Sequence, residues 1–420
     1  MSRTRSASAW AAVLATAAMT FAAAPPARAQ MVDVPPAIAE SLAAGRDSLP
    51  PQRDFGDLWR QLTGKSNELG ERQIAPRPGL DIVALPSVGY NPAYGFYVGL
   101  GASAGGWLGD PAITRLSVFT LNATYSTEGQ LAVLFRSDAW IPGNDWNLKG
   151  DWRYLDTSQP THGLGPTVEQ VGKYPMEFQM WRLYETVYRQ VRGPIYVGVG
   201  YHLNIHDEVV DERAEAGELT PYTAYSGGPV GTTTSSGVSV NILIDSRDSP
   251  IYATQGVLWN ASIRSYQRPF GSDHDWQEIW SDFRAYPNLP LGSRHTLAIW
   301  NQVWLAYGKS PYLDLPAIGW DTYGKTGRGY VQGRLRASDQ IYTEFEYRYT
   351  LTQDGLWGAV GFLNFTASTL RSGAFGPLDP GYGFGLRMKF IKRTRTNLTV
   401  DFGWGNAASS GIYFGTQEYF

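Results

Sequence analysis

The sequence predicts an all-β fold: a 16-stranded antiparallel transmembrane β-barrel with a short N-terminal periplasmic segment. Three observations carry this expectation. The first is strict period-2 alternation. Tyr382, Phe384, Leu386, Met388 and Phe390 share one face, while Gly383, Gly385, Arg387 and Lys389 share the other. Leu398, Val400, Phe402 and Trp404 likewise oppose Asn397, Thr399, Asp401 and Gly403, and the pattern is read through to the last residue, Phe420. The second is where the charges fall. Ile341, Phe345, Tyr347, Tyr349 and Leu351 form an apolar stripe, with Gln340, Glu344, Glu346, Arg348 and Thr350 opposite. An Arg facing lipid at the bilayer midplane costs about 2 kcal/mol or more, so the charged face lines a wet lumen. The third is composition. The chain is 14% aromatic and 17% charged with 47 Gly, which suits alternating strands with aromatic girdles. Beyond the N-terminus it has no run of 18 uncharged apolar residues. An unpaired backbone group in hydrocarbon costs several kcal/mol, so the sheet must close.

Taken in order, residues 1–29 read as an export signal. Arg3 and Arg5 precede the apolar run Ala9 to Ala24, and Ala27-Arg28-Ala29 fits a small-x-small cleavage site. Residues 30–80 form a Pro-rich, charged periplasmic segment in which Phe55, Leu58, Trp59 and Leu62 recur at helical spacing. They predict one short amphipathic helix, serving either to dock under the barrel mouth or as a recognition element. Residues 81–420 form the barrel. Its segments start near Ile82, Phe96, Leu116, Gln130, Trp146, Glu177, Ile195, Ser235, Val257, Asp275, His295, Gln340, Trp357, Gly381, Thr396 and Gly411. The even total puts both ends on the periplasmic side. Long connections near 157–176, 208–234 and 310–339 fall outside, and most inner turns are short, as at Pro142-Gly143-Asn144-Asp145, Gly193-Pro194 and Asp354-Gly355.

Charge and composition exclude several classes. The chain has 35 Lys and Arg against 38 Asp and Glu, and the export signal holds three of the basic residues and no acid. That balance lacks the basic surplus that nucleic acid requires. Without cysteine there is no disulfide framework, thiolate metal site or thiol nucleophile. His202 and His206 share a strand face, yet no Ser in a strained turn and no orienting third residue accompanies them, so the reading is non-enzymatic. No metal or cofactor is expected. The acidic stretch Asp207 to Glu218 reads as a solvated outer loop, and glycines at 381, 383 and 385 read as room for a loop to approach a strand.

Two segments go beyond a generic barrel. Asp245-Ser246-Arg247-Asp248-Ser249-Pro250, continuing to Gly256, occupies the inner turn between the eighth and ninth strands. There Arg247 pairs with Asp245 or Asp248 to brace a rigid corner, or the turn meets a periplasmic partner. Gly327-Arg328-Gly329-Tyr330, with Arg334 and Arg336, sits in the long loop before the twelfth strand. With Glu346-Tyr347-Arg348 and Gly383-Phe384-Gly385-Leu386-Arg387, this set resembles the BamA/TamA superfamily of outer-membrane proteins, the bacterial surface antigen family, over residues 80–420.

That resemblance implies a sixth outer loop folded into the lumen. Arg328 would be its anchoring cation, with Gly327, Gly329 and Tyr330 shaping the tip. The cores of the thirteenth and fourteenth strands carry no acid, so lumen-facing Glu344, Glu346 and Asp401 are the expected partners. Some 50 residues cannot hold a polypeptide-transport-associated domain, so the chain resembles a barrel-only branch. Tyr413, Gly415 and Phe420 match part of a C-terminal insertion signal, with Glu418 at an apolar slot. Pro86 weakens the first strand, so the seam between the first and last strands is expected to be weak. The function expected is assembly or translocation at the outer membrane of a Gram-negative-type bacterium, with polypeptide or lipid as substrate. Alternatives are a passive pore or surface protein and, with least support, a lipid-modifying enzyme. Outer-membrane lipid and the host barrel-assembly machinery are the expected partners.

Overall fold

The computed structural model describes residues 52–64, 76–91, 95–165, 173–370, 374–406 and 408–420. The expected export signal lies outside them, as does most of the segment at 30–80. Sixteen strands follow one another in sequence: β1 (Gly79–Asn91), β2 (Gly95–Trp107), β3 (Ser117–Ser126), β4 (Leu131–Trp140), β5 (Trp146–Ser158), β6 (Met176–Arg192), β7 (Ile195–Asp211) and β8 (Thr233–Asp245). They continue with β9 (Gly256–Tyr266), β10 (Trp276–Tyr286), β11 (His295–Gly308), β12 (Asp339–Thr350), β13 (Trp357–Thr369), β14 (Asp379–Ile391), β15 (Thr396–Gly405) and β16 (Ser410–Gly415). Each pairs antiparallel with its sequence neighbour in a single sheet. All sixteen begin within three residues of the start read from alternation.

The sheet is inverted relative to a water-soluble protein. Glu344 and Glu346 of β12 are fully buried, while Val240 of β8 and Phe414 of β16 are 70% and 74% exposed. Only a wall with hydrocarbon outside and a packed polar bore makes that arrangement stable. Polar groups that do face outward find each other: Trp259 Nε1 donates to Ser281 Oγ at 3.0 Å, and Asn301 Nδ2 to Thr343 Oγ1 at 2.9 Å.

Side chains bridge the two ends of the sheet. Arg393, between β14 and β15, donates through Nε to Asp81 of β1 at 2.6 Å, and Gln417 reaches Ser103 of β2 at 2.8 Å. The six residues of β16 can pair with at most six of the thirteen in β1. Pro86 removes a further donor from β1. Short length and proline together limit the pairing these two strands can make.

Turn chemistry follows the sequence. Between β4 and β5, Gly143 and Asn144 both take left-handed φ values of 88° and 65°, as a tight hairpin demands. Helix α1 (Phe55–Leu62) forms at the expected spacing, started by a reciprocal capping box between Asp54 and Asp57. It docks against the inner turns: Phe55 stacks on Phe390 at 5.3 Å, Lys392 Nζ donates to Asp57 at 2.8 Å, and Arg53 N donates to Asp354 O at 2.9 Å. The outer connection between β7 and β8 carries two short helices, α2 (Glu212–Glu215) and α3 (Pro221–Ser226).

One expectation needs correction. The alternation read through to Phe420 stops at Gly415, and residues 416–420 leave the wall and turn into the bore. Glu418 explains why: in the bore its carboxylate accepts from Arg387 Nε and Asn397 Nδ2, both at 2.7 Å, and in the wall it would have faced lipid.

Candidate functional site

The loop between β11 and β12, residues 309–338, folds into the bore and crosses it. A 3-10 turn at Tyr312–Asp314 starts the descent. Asp314 then accepts from Asn204 Nδ2 of β7 at 2.8 Å and from Ser235 Oγ of β8 at 2.6 Å. Arg336 staples the two limbs, donating through Nη1 to the carbonyls of Tyr312 and Leu313 at 3.0 Å each. Lower down, Asp321 caps the loop from within, taking Thr326 N at 2.9 Å and Tyr323 N at 3.0 Å. On the far wall, Arg136 of β4 donates to Tyr323 O at 3.0 Å and Arg153 of β5 to Asp321 O at 3.1 Å. Polar backbone buried this deep in a barrel has to be satisfied, and these side chains do it.

The tip is the Gly327-Arg328-Gly329-Tyr330 segment. Gly327 and Gly329 hold φ of 79° and 101°, and a Cβ on Gly329 would meet Trp404 O at 2.5 Å. The wall is pared back to match: a Cβ on Gly381 would lie 2.6 Å from Arg328 O, and one on Gly405 would lie 2.6 Å from the Tyr330 ring. Tyr330 OH donates to Pro380 O at 2.6 Å and accepts from Asn406 N at 3.0 Å. Gly329 N donates to Tyr413 OH at 2.8 Å, and Asn364 Nδ2 donates to Arg328 O at 2.9 Å.

Arg328 is fully buried. Its guanidinium contacts Glu344, Glu346 (2.6 Å) and Asp401 (3.1 Å), so all three expected carboxylates surround it. Phe362 lies 3.7 Å from its centre and Tyr419 lies 3.9 Å away. The charges continue outward in alternation. Arg348 donates to Glu346 at 2.7 Å, and Arg387 pairs with Asp401 at 2.6 Å and Glu418 at 2.7 Å. Three guanidinium groups thus share four carboxylates. A buried charge survives only when paired and hydrogen-bonded in this way.

Sequence reasoning missed the contribution of residues 416–420. Tyr419 stacks on Arg328. Phe420 packs 5.3 Å from Trp300 in a cluster with Tyr286 and Tyr342, while its backbone oxygen accepts from Arg348 at 2.7 Å. The misplaced acid Glu418 was the available signal. Of the three residues of the insertion pattern, Tyr413 turns its hydroxyl to the loop tip, Gly415 ends β16, and Phe420 lies in the bore.

The turn between β8 and β9 forms a separate unit. Arg247 grips Asp245 through Nε at 3.1 Å and Nη2 at 2.9 Å, and Arg115 adds a contact to Asp245 at 3.0 Å. Asp248 instead closes the turn, accepting from Thr254 N and Oγ1, both at 2.8 Å, and from Arg395 at 2.6 Å. Burial would raise the Asp248 carboxyl, but these donors outweigh it and hold it below the usual aspartate range. Pro250 follows this capped stretch, and Gly256, at φ 96°, closes against Ser246 O.

His202 Nε2 lies 2.8 Å from Ser239 Oγ. Its Nδ1 has no partner among the described residues, so the pair lacks the acid that orients a Ser-His relay. His206 lies 3.9 Å from Asp314.

No protein-family model and no curated protein matches the sequence. Solved structures do match. BamA from Haemophilus ducreyi lacking POTRA domains 1–3 aligns at 14% identity over 81% of this chain and 69% of that one, with a TM-score of 0.49. CdiB from Escherichia coli aligns at 9% identity over 81% of this chain and 62% of that one, with a TM-score of 0.51. CdiB from Acinetobacter baumannii aligns at 11% identity over 79% and 59%, with a TM-score of 0.46. This chain therefore spans less than two thirds of either CdiB chain. The likeness is one of fold, carried by the Escherichia coli CdiB alignment: the chain is a β-barrel of that architecture.

Proposed function

We propose that this protein is an outer-membrane barrel of the assembly or translocation type, which assists insertion or transport of polypeptide or lipid and does so without enzymatic chemistry. The observation that supports this most is the pairing of a bolted bore with a weak seam. A loop held by Arg328 and three carboxylates lies in the lumen, while β16 offers six residues against the thirteen of β1. A barrel built this way resists passage straight through its bore and yields most easily at its side. The protein then sits in the outer membrane, contacting its lipid, and depends on the host assembly machinery for its own insertion. The capped corner at Asp245 to Gly256 braces the periplasmic face, and α1 docks beside it as a structural collar.

The chain has no cysteine, so a disulfide lock can be placed cleanly. Cysteine pairs between Ile82–Leu85 of β1 and Gly411–Phe414 of β16 are expected to abolish function when oxidised and restore it when reduced, read as outer-membrane protein and lipid content in a deletion strain. Equal composition in the locked and reduced states would sink the proposal. A passive pore is the second reading, favoured by a hollow that remains beside the loop. Planar-bilayer recording separates the two: the proposal expects small, intermittent currents, and a steady large conductance would favour the pore.

A further inference from the structure

Away from the Arg328 cluster, the bore is not filled. The wall from β3 to β10, the loop at Thr322–Lys325 and the segment Phe414–Phe420 enclose a cavity of about 270 Å³. Its boundary includes Phe414 and Gly415 of β16, so it borders the weak seam.

Six cationic side chains line it, Arg136, Lys149, Arg247, Arg264, Arg284 and Lys325, against three carboxylates, of which Asp138 holds Lys149, Asp151 holds Arg153 and Glu418 holds Arg387. Four have a carboxylate of their own. Lys149 pairs with Asp138, Arg247 with Asp245, Arg264 with Glu278 and Arg284 with Asp282. Among the described residues, Arg136 and Lys325 make no such pair. Each instead donates to a neutral carbonyl, Arg136 Nη1 to Tyr323 O at 3.0 Å and Lys325 Nζ to Glu418 O at 2.9 Å. The inward loop thus carries the Lys325 amine to within two residues of the carbonyl that holds the Arg136 guanidinium. Two like charges in a low-dielectric bore repel, and water alone compensates them poorly.

The unused donors at this place suit one kind of guest. Arg136 Nε is buried without a partner, which leaves free the Nε–Nη2 edge that grips an oxyanion in a fork. Lys325 commits one of its three donors to Glu418 O. His202, only 3% exposed, lines the same cavity with its Nδ1 unpartnered, and Nδ1 donates in the tautomer whose Nε2 accepts from Ser239 Oγ. A carboxylate has two oxygens for these three groups, whereas a phosphate group has enough for all of them. Asn241 and Asn260 add neutral polar surface beside it.

We propose that this cavity is a binding site for a small phosphate-bearing anion, whose phosphate bridges Arg136 and Lys325 with His202 as a third contact. The site stands independently of the assembly reading, and its failure would leave that reading intact. A phosphate group can arrive on a soluble ester or on a lipid headgroup, so the test has two arms. Purified full-length protein is titrated with glycerol 3-phosphate in detergent, following tryptophan fluorescence, since Trp280 lines the cavity. In parallel, thermal unfolding is compared in nanodiscs with and without phosphatidylglycerol. The expected result is saturable binding in one arm, weakened about tenfold or more by Arg136→Gln and by Lys325→Gln and largely recovered in Lys325→Arg. Binding in the first arm assigns a soluble ester, and stabilisation in the second alone assigns a headgroup. Unchanged heat-modifiable migration of the variants separates lost binding from lost folding. Binding no tighter than chloride at equal ionic strength, or equal in wild type and both Gln variants, overturns the site.

Discussion

The two halves of the bore use the same residues to opposite ends. Around Arg328, each cation meets a carboxylate, as three guanidinium groups and four carboxylates interlock under two aromatic rings. Beside the wall from β3 to β10, a hollow remains and two cations hydrogen-bond, among the described residues, to carbonyl oxygens alone. The difference lies in what supplies the counter-charge. On the first side it comes from fixed strands and cannot leave. On the second, four of the six cations have carboxylates, and Arg136 and Lys325 have no ion-pair partner among the described residues. Balanced charge makes a rivet, and unbalanced charge makes a receptor.

That contrast can be broken from the rivet side. Arg328→Ala leaves buried Glu344 without a cation and takes one from Glu346 and Asp401, and is expected to cost about 3–5 kcal/mol, seen as loss of the heat-modifiable band at a lower temperature or a lower urea midpoint. Wild-type migration in this variant would show that the charges around Arg328 hold nothing together. Next in size is Phe420→Ala, which empties the space beside Trp300 and should destabilise the refolded barrel by about 3 kcal/mol. Tyr330→Phe removes the contacts to Pro380 and Asn406 and should cost about 1 kcal/mol, with proteolysis of the loop as the readout.

The smallest effect lies at the periplasmic corner. Asp248 is held below its ordinary range, so its contribution is complete above about pH 4 and is lost as pH falls through the lowered value. Asp248→Asn should therefore cost about 1 kcal/mol at pH 7, a figure kept low by the half-exposed Arg395, and the gap to wild type should close in acid. Equal gaps at both pH values would show that capping geometry, and not charge, holds the corner.

The wall was legible in the sequence for a physical reason. With lipid on one side and a bore on the other, every residue of a strand such as β12 must take the correct side, and one slip would put Glu344 and Glu346 in hydrocarbon. The same constraint narrowed the carboxylates available to Arg328, since alternation had already placed Asp401 on the inner face. The inward turn of residues 416–420 was not legible, because Ile412 and Phe414 continue the outward pattern and nothing in the period marks where pairing stops. Glu418 in an apolar slot was the one local contradiction. The unbalanced pair was hidden more deeply still. Arg136 is one of several lumen cations by register, and its lack of a carboxylate depends on how the long loop at 309–338 packs, which no strand period encodes.

The anchoring of Arg328 also bears on how the chain matures. Its contacts come from Glu344, Glu346, Phe362, Asp401 and Tyr419, so the set stays incomplete until the final strands have been threaded into place. Until then the entropy lost in closing the loop is not fully offset. Locking of the tip thus waits on the C-terminal strands and the segment that follows them.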